Sequence, residues 1–226
     1  MRPVDFAVES MIEALAGISL FEGIAPADLE HLGALAIVRH YPKNAIIVRE
    51  GDRAETLFLI LSGRIKVFVT DEDGGRVVLA TQRAGEYFGE ISLDDGVRSA
   101  SVMALEPCEL ALLQCADFRD FLGCHPDAAL AVINNLIRLT RSLTHRIRDL
   151  SLLDAYARLA KLLVSLATVE GGRSIVSEPL TQKEIGERIG ASREMVSRIF
   201  KDLKAGGYIA NEGRRLVIQR RLPRAR

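Results

Sequence analysis

The chain has 226 residues, 48% hydrophobic and 27% charged, with 30 basic against 30 acidic side chains. That composition excludes a wholly disordered chain and supplies the apolar residues for one or two packed domains. The zero net charge conceals an asymmetry. Residues 1–150 hold 15 basic and 22 acidic side chains and residues 151–226 hold 15 and 8, so a basic C-terminal segment is expected to meet a polyanion.

No apolar run approaches the roughly 18 residues of a membrane helix. The early acids Asp5, Glu9 and Glu13 do not follow the basic-then-apolar order of a signal peptide. A cytoplasmic protein without a membrane partner is expected. Cys108, Cys115 and Cys124 lack the close pairs of zinc or redox sites and read as buried reduced thiols, with no metal implied.

From Ser10 to about Leu35 the pattern predicts short amphipathic lead-in helices, the second starting at Pro26. Six short β-rich runs follow, at residues 45–48, 56–61, 65–70, 77–80, 99–103 and 109–113, separated by Gly-Asp, Ser-Gly and Asp-Gly-Gly turns. Many short strands at close spacing make a sandwich or a barrel-like roll. A long helix is predicted from Pro126 to about Ser151, with a seam of Ala129, Ile133, Leu136, Thr140, Leu143, Ile147 and Leu150 at alternating steps of 4 and 3. That spacing lets two helices pack side by side and predicts a homodimer; the alternative is a helix packed on its own domain.

The C-terminal part opens with a helix over residues 154–167 and a Gly171-Gly172 break. Thr181-Gln182-Lys183-Glu184 has the form of a capping box, Gly190-Ala191-Ser192 that of a tight turn, and Arg193 to Lys204 that of a second helix. Two short helices around a Gly-containing turn form a helix-turn-helix, and the segments 208–210 and 216–219 read as a wing. With Met195, Val196, Ile199, Phe200 and Leu203 inward, the second helix leaves Arg193, Glu194, Ser197, Arg198 and Lys201 outside. Arg donates in bidentate fashion to guanine and Glu accepts from a cytosine amino group, so this ridge suits base edges of double-stranded DNA; a solvated helix face is the alternative. Thr181, Gln182 and Ser192 border the same surface.

In the β-rich part, Gly89, Glu90, Ile91 and Ser92 lead to Arg98, Ser99 and Ala100. Arg98 and the backbone near Ser99 could hold a phosphate and Glu90 could accept from a ribose hydroxyl, while Arg98 paired with Glu90 or Asp94 is the structural alternative.

These motifs in this order, from about residue 15 to 220, resemble the cyclic-AMP receptor protein and FNR family of bacterial transcription regulators. The resemblance implies an α+β chain: a jelly-roll-like cyclic-nucleotide-binding β-roll over residues 1–125, a dimerisation helix and hinge over 126–153, and a winged helix-turn-helix over 154–226. It implies that Arg98 pairs with the cyclic phosphate, that Ser99 adds a hydrogen bond, and that Glu90 with the Gly89 backbone holds the ribose hydroxyl. Gly51 and Gly63 match turn glycines of the roll. Arg193, Glu194 and Arg198 match the DNA-reading positions, implying a TGTGA-like half-site in a palindrome, with RNA polymerase as a further partner. The family's base contacts from the long helix, a Thr and a Ser or Asn, fall on Leu143 and Thr144, with Thr140 one turn earlier as a substitute for the first. The loop from Glu90 to Arg98 is shorter than in the family's enteric members. Cyclic AMP is the favoured effector, with cyclic GMP and cyclic di-GMP as alternatives. No cysteine precedes Cys108, against an iron-sulfur sensor, and the scattered His31, His40, His125 and His145 argue against haem. No nucleophile–base pair appears, so an enzyme is not expected; a regulatory subunit acting on proteins is opposed by the basic helix-turn-helix.

Overall fold

The computed structural model describes residues 8–94, 96–213 and 215–223; the side chains of residues 8–10, Ser92 and Asp94 lie outside the description. The chain divides into two compact units, one holding residues up to Val69 with Leu79–Thr140, the other Thr70–Val78 with the residues from Arg141 onward.

The first unit begins with helix α1 (Val8–Ala16), a 3-10 turn (Ser19–Phe21) and α2 (Pro26–Leu35). Strands β1 (Ile37–Tyr41), β2 (Ile46–Val48), β3 (Thr56–Ser62), β4 (Arg64–Thr70), β5 (Arg76–Arg83), β6 (Tyr87–Phe88), β7 (Ser101–Ala104) and β8 (Cys108–Gln114) form two four-stranded sheets, ordered β1-β8-β3-β6 and β2-β7-β4-β5. Strand β3 reads as an unbroken apolar run because both of its faces are covered. Leu57 and Leu59 pack with Leu15, Phe21 and Leu32 of the lead-in segment, while Phe58 and Ile60 pack with Val48, Ile65 and Phe88 inside the roll. Helix α3 (Cys115–Cys124) follows β8 and sets Phe118 and Phe121 into the first of these cores.

Among the described residues, β1, β6, the 3-10 turn Glu90–Asp94, α3 and two strands of the C-terminal sheet were not expected from the sequence. Each is short, or its apolar residues do not keep a clean period. Cys108 and Cys115 are buried as expected, but Cys124 is exposed, because the last residue of α3 points away from the Phe118–Phe121 face.

Helix α4 (Pro126–Leu152) runs without interruption. Ala128 and Val132 are buried and Leu136 packs on the lead-in core, whereas Leu130, Ile133, Ile137, Leu143, Ile147 and Leu150 are exposed. The seam read from the sequence is therefore corrected: Leu136 belongs to the inward face and Ile137 takes the outward position. An α-helix seated on a sheet spends one stripe on its own core, and the free stripe lies on the opposite side.

In the second unit, Asp154 caps α5 (Ala155–Leu166), its Oδ1 accepting from the Ala157 amide at 2.7 Å. Strands β9 (Thr168–Glu170) and β10 (Arg173–Val176), helices α6 (Gln182–Ile189) and α7 (Arg193–Ala205), and strands β11 (Ile209–Glu212) and β12 (Arg215–Ile218) complete it, with sheet order β11-β12-β10-β9. Leu159, Leu163, Ile185, Ile189, Val196, Ile199 and Leu203 make its core. Among the described residues no helix is long and apolar enough to cross a membrane.

Candidate effector cradle and nucleic-acid interface

The loop after β6 brings Gly89, Glu90 and Arg98 together. Gly89 has φ +94°, and a Cβ there would lie 2.8 Å from Arg98 Nη1 and 2.9 Å from the Thr56 carbonyl oxygen; only glycine lets the guanidinium lie this close to the backbone. Arg98 is buried, donates from Nη2 to the Thr56 carbonyl at 2.6 Å, and stands 5.4 Å from the centroid of Phe58. Phe58 in turn stacks on Phe88 at 4.7 Å. The backbone of Arg98 is pinned on both sides, its amide donating to the Asp52 carbonyl at 2.8 Å and its carbonyl accepting from Gly51 at 2.9 Å. Burial lowers the pKa of Arg98, opposed by the charges of Cys115 and Asp52. A positive group withdrawn from water, over an aromatic face, attracts a phosphate more strongly than it would in solvent.

Glu90 is buried, and burial raises its pKa, with its own amide and that of Gly89 pulling the other way. Asn135 of α4 donates from Nδ2 to Glu90 Oε1 at 3.5 Å. Ser99 is exposed and Ala100 buried on either side of the turn into β7; Ile91 is exposed, and the Ser92 side chain lies outside the described residues. Thr140 donates from Oγ1 to the Leu136 carbonyl of its own helix at 2.9 Å, and Leu143 and Thr144 are exposed on α4. Thr56, Phe58, Tyr87 and Asn135 were not singled out from the sequence. Asn135 carried a usable signal: it follows Ala128 and Val132 at steps of 4 and 3, a polar residue on the inward stripe. His40 pairs with Glu109 at 3.1 Å and His125 packs on Phe121 at 4.2 Å.

In the second unit Thr181 Oγ1 accepts from the Glu184 amide at 3.2 Å and Glu184 Oε2 from the Thr181 amide at 2.7 Å, so the capping box forms in full. Gly190 ends α6 in the left-handed conformation, and Ser192 Oγ accepts from the Met195 amide at 3.1 Å to start α7. A Cβ on Gly186 would meet the Ala191 carbonyl at 2.5 Å, which explains how the turn closes so tightly on α6. Arg193, Glu194, Ser197, Arg198 and Lys201 are all exposed on α7, and Gln182 is half-buried at the start of α6. Met195, expected inward, is 38% exposed, because it sits beside the cap where the apolar face has not yet turned under.

The sequence also gave no hint of Arg158. Its Nε donates to the Ile189 carbonyl at 2.7 Å, Nη1 to Leu153 at 2.7 Å and Nη2 to Gly190 at 3.2 Å. One guanidinium thus satisfies the carbonyl ends of two helices and ties the end of α4 to the helix-turn-helix corner. Asp149 and Lys161 add an ion pair across the same joint.

A β-roll with a Gly–Glu–Arg cradle and a winged helix-turn-helix define a cyclic-nucleotide-binding transcription regulator. A model of the cyclic nucleotide-binding domain matches residues 38–124, and a model of the Crp-like helix-turn-helix domain matches residues 157–222. The chain is 33% identical over 189 residues to the cAMP-activated global transcriptional regulator CRP of Pasteurella multocida (strain Pm70), covering 80% of this chain and 89% of that relative. It is 30% identical over 213 residues to the CRP-like cAMP-activated global transcriptional regulator of Mycobacterium tuberculosis (strain CDC 1551 / Oshkosh), covering 92% and 95%. Among solved structures, the c-di-GMP responsive global regulator CLP of Xanthomonas campestris matches with a TM-score of 0.74 at 26% identity, over 86% of this chain and 99% of that one. The chain belongs to the Crp-Fnr family of transcription regulators.

Proposed function

We propose that the protein is a homodimeric DNA-binding regulator whose affinity for a TGTGA-like palindrome is set by cyclic AMP in the Gly89–Arg98 cradle. The observation that carries the effector is the close approach of the buried Arg98 to Gly89, the residue that precedes the buried Glu90. In this reading Arg98 pairs with the cyclic phosphate, Ser99 adds a hydrogen bond, and Glu90 accepts from the ribose 2′-hydroxyl. The family's base-contact positions fall on Thr140, Leu143 and Thr144, and Ile91, Ser92 and Ala100 are the further effector positions of the motif. The cyclic-AMP-activated relatives favour this nucleotide. A second reading takes cyclic di-GMP: the apolar Leu143 stands where a polar base contact is expected, and CLP responds to that ligand. Cyclic GMP is the third candidate.

The dimer follows from the exposed Ile133, Ile137 and Ile147 on one side of α4, an apolar stripe that two copies can bury together. Arg193, Glu194 and Arg198 read base edges, while Thr181, Gln182, Ser192, Ser197 and Lys201 hold the backbone. Roll, helix with hinge, and reader divide at residues 125 and 153. RNA polymerase is the further partner, and the cytoplasm is the compartment where this DNA partner is met. Calorimetry with the three nucleotides, followed by gel shift on the palindrome, tests the reading. It predicts micromolar-class binding of one nucleotide and loss of that binding in Arg98→Leu; undiminished binding by Arg98→Leu contradicts it.

A further inference from the structure

The loop that joins Glu90 to Arg98 is held from outside by a contact that the effector scheme leaves unused. Its first part is the 3-10 turn Glu90–Asp94, with Glu90 as the leading residue. The amides of Gly89 and Glu90 donate to the Glu90 carboxylate, so the carboxylate follows the start of the turn. The carbonyls at the end of a helical turn have no partner within it. Arg119 of α3 serves one of them, its Nη2 donating to the Leu93 carbonyl at 2.8 Å, while the Leu93 side chain packs on the core that holds Phe118 and Phe121 of α3. Helix α3 is itself fixed to the strand that holds Arg98. The Cys115 amide donates to the Glu55 carbonyl at 2.9 Å, and Arg98 Nη2 donates to the next carbonyl, that of Thr56, at 2.6 Å. Both ends of the cradle are thus referred to the start of β3, the Glu90 end by way of Arg119.

We propose that Arg119 is a positioning residue for ribose recognition: by holding the Leu93 carbonyl it sets the 3-10 turn, and with it the Glu90 carboxylate, at the distance from Arg98 that a nucleotide spans. The proposal rests on the effector reading above. Packing of Leu93 on the core is non-directional, whereas a hydrogen bond fixes both distance and angle. Without the Arg119 donor the turn stays docked and Glu90 loses its aim. The effect falls on the ribose contact rather than the phosphate contact, because Arg98 has its own anchors at Thr56, Asp52 and Gly51. An arginine suits this task, since its long stem reaches the carbonyl while its charge stays in water.

The test uses the full chain, with cyclic AMP and its 2′-deoxy analogue as probes. It reads the ratio of the two affinities by calorimetry, together with the melting temperature of the nucleotide-free protein. Arg119→Met keeps the aliphatic stem and removes the donor. It is expected to weaken cyclic AMP about fivefold, the yield of one ordinary hydrogen bond, and to leave the 2′-deoxy analogue within about twofold of the parent. Melting temperature stays close to the parental value, since Arg119 is exposed. Arg119→Lys restores one donor and recovers part of the ratio. A parental ratio in Arg119→Met overturns the proposal, whether both affinities hold or both fall together with melting temperature, as they would if Arg119 merely stabilised α3. A parent chain that binds neither probe, or binds both equally, refutes the ribose contact of the effector reading and this proposal with it, and that outcome is visible before any variant is made.

Discussion

Gly89 and Arg98 fit together so closely that a methyl group on the glycine would lie 2.8 Å from the arginine Nη1. The φ of +94° at the same residue adds a second reason for glycine. Gly89→Ala is therefore expected to cost about 1–2 kcal/mol from the backbone conformation alone, and more from displacement of Arg98. Thermal melting measures the first part, and calorimetry with nucleotide measures the displaced cradle.

Glu90 gives a pH-dependent expectation. Burial raises its folded-state pKa above the ordinary 4.5, so the ligand-free fold binds this proton more tightly than the unfolded chain does. Its contribution is most favourable below pH 4.5 and is lost as pH rises through the folded value. Glu90→Gln should then melt higher than the parent at neutral pH, with the difference closing near about pH 4. Paired melting curves across this range check the sign, and the same variant should bind nucleotide poorly.

Arg158 holds three carbonyls, at Leu153, Ile189 and Gly190, with one planar fork. Arg158→Ala is expected to lower stability by roughly 1.5–3 kcal/mol and to weaken palindrome binding, since the turn that aims α7 loses its anchor. Arg158→Lys should rescue little, because an ammonium cannot serve three diverging acceptors. Urea denaturation and anisotropy on both variants test this.

On the reader helix, Arg193→Ala should relax sequence preference at a cost of about 1–3 kcal/mol for the preferred site. Lys201→Ala should weaken all DNA alike and reduce the salt slope by about one. A selection experiment that returns the parental consensus for Arg193→Ala contradicts the base-reading role. For the dimer, Ile147→Glu should leave the monomer fold intact, since Ile147 is 65% exposed, and shift sedimentation to a single chain.

The sequence carried the periodic parts of this molecule well. The capping box at Thr181, the Gly190 turn, the Ser192 cap and the whole of α4 were legible because each rests on local chemistry. The register of the outward face of α4 was not, because Leu136 and Ile137 are equally apolar and only the sheet beneath decides which one turns inward. Gly89, Glu90 and Arg98 were visible as a motif, yet Thr56, which anchors Arg98 from 42 residues away, leaves no trace in local sequence. Asn135 left a local trace as a polar residue on the inward stripe of α4, but its partner Glu90, 45 residues away, could not be read from it. The neutral total charge was the least informative number in the sequence, since it sums an acidic sensor and a basic reader.

The most direct test is the affinity of the full chain for a TGTGA palindrome, measured by fluorescence anisotropy with and without cyclic AMP, cyclic GMP or cyclic di-GMP. The account predicts that one nucleotide, cyclic AMP first, raises the affinity at least about tenfold, and that Arg98→Leu abolishes the rise while leaving nucleotide-free binding in place. An affinity unchanged by all three nucleotides would contradict it.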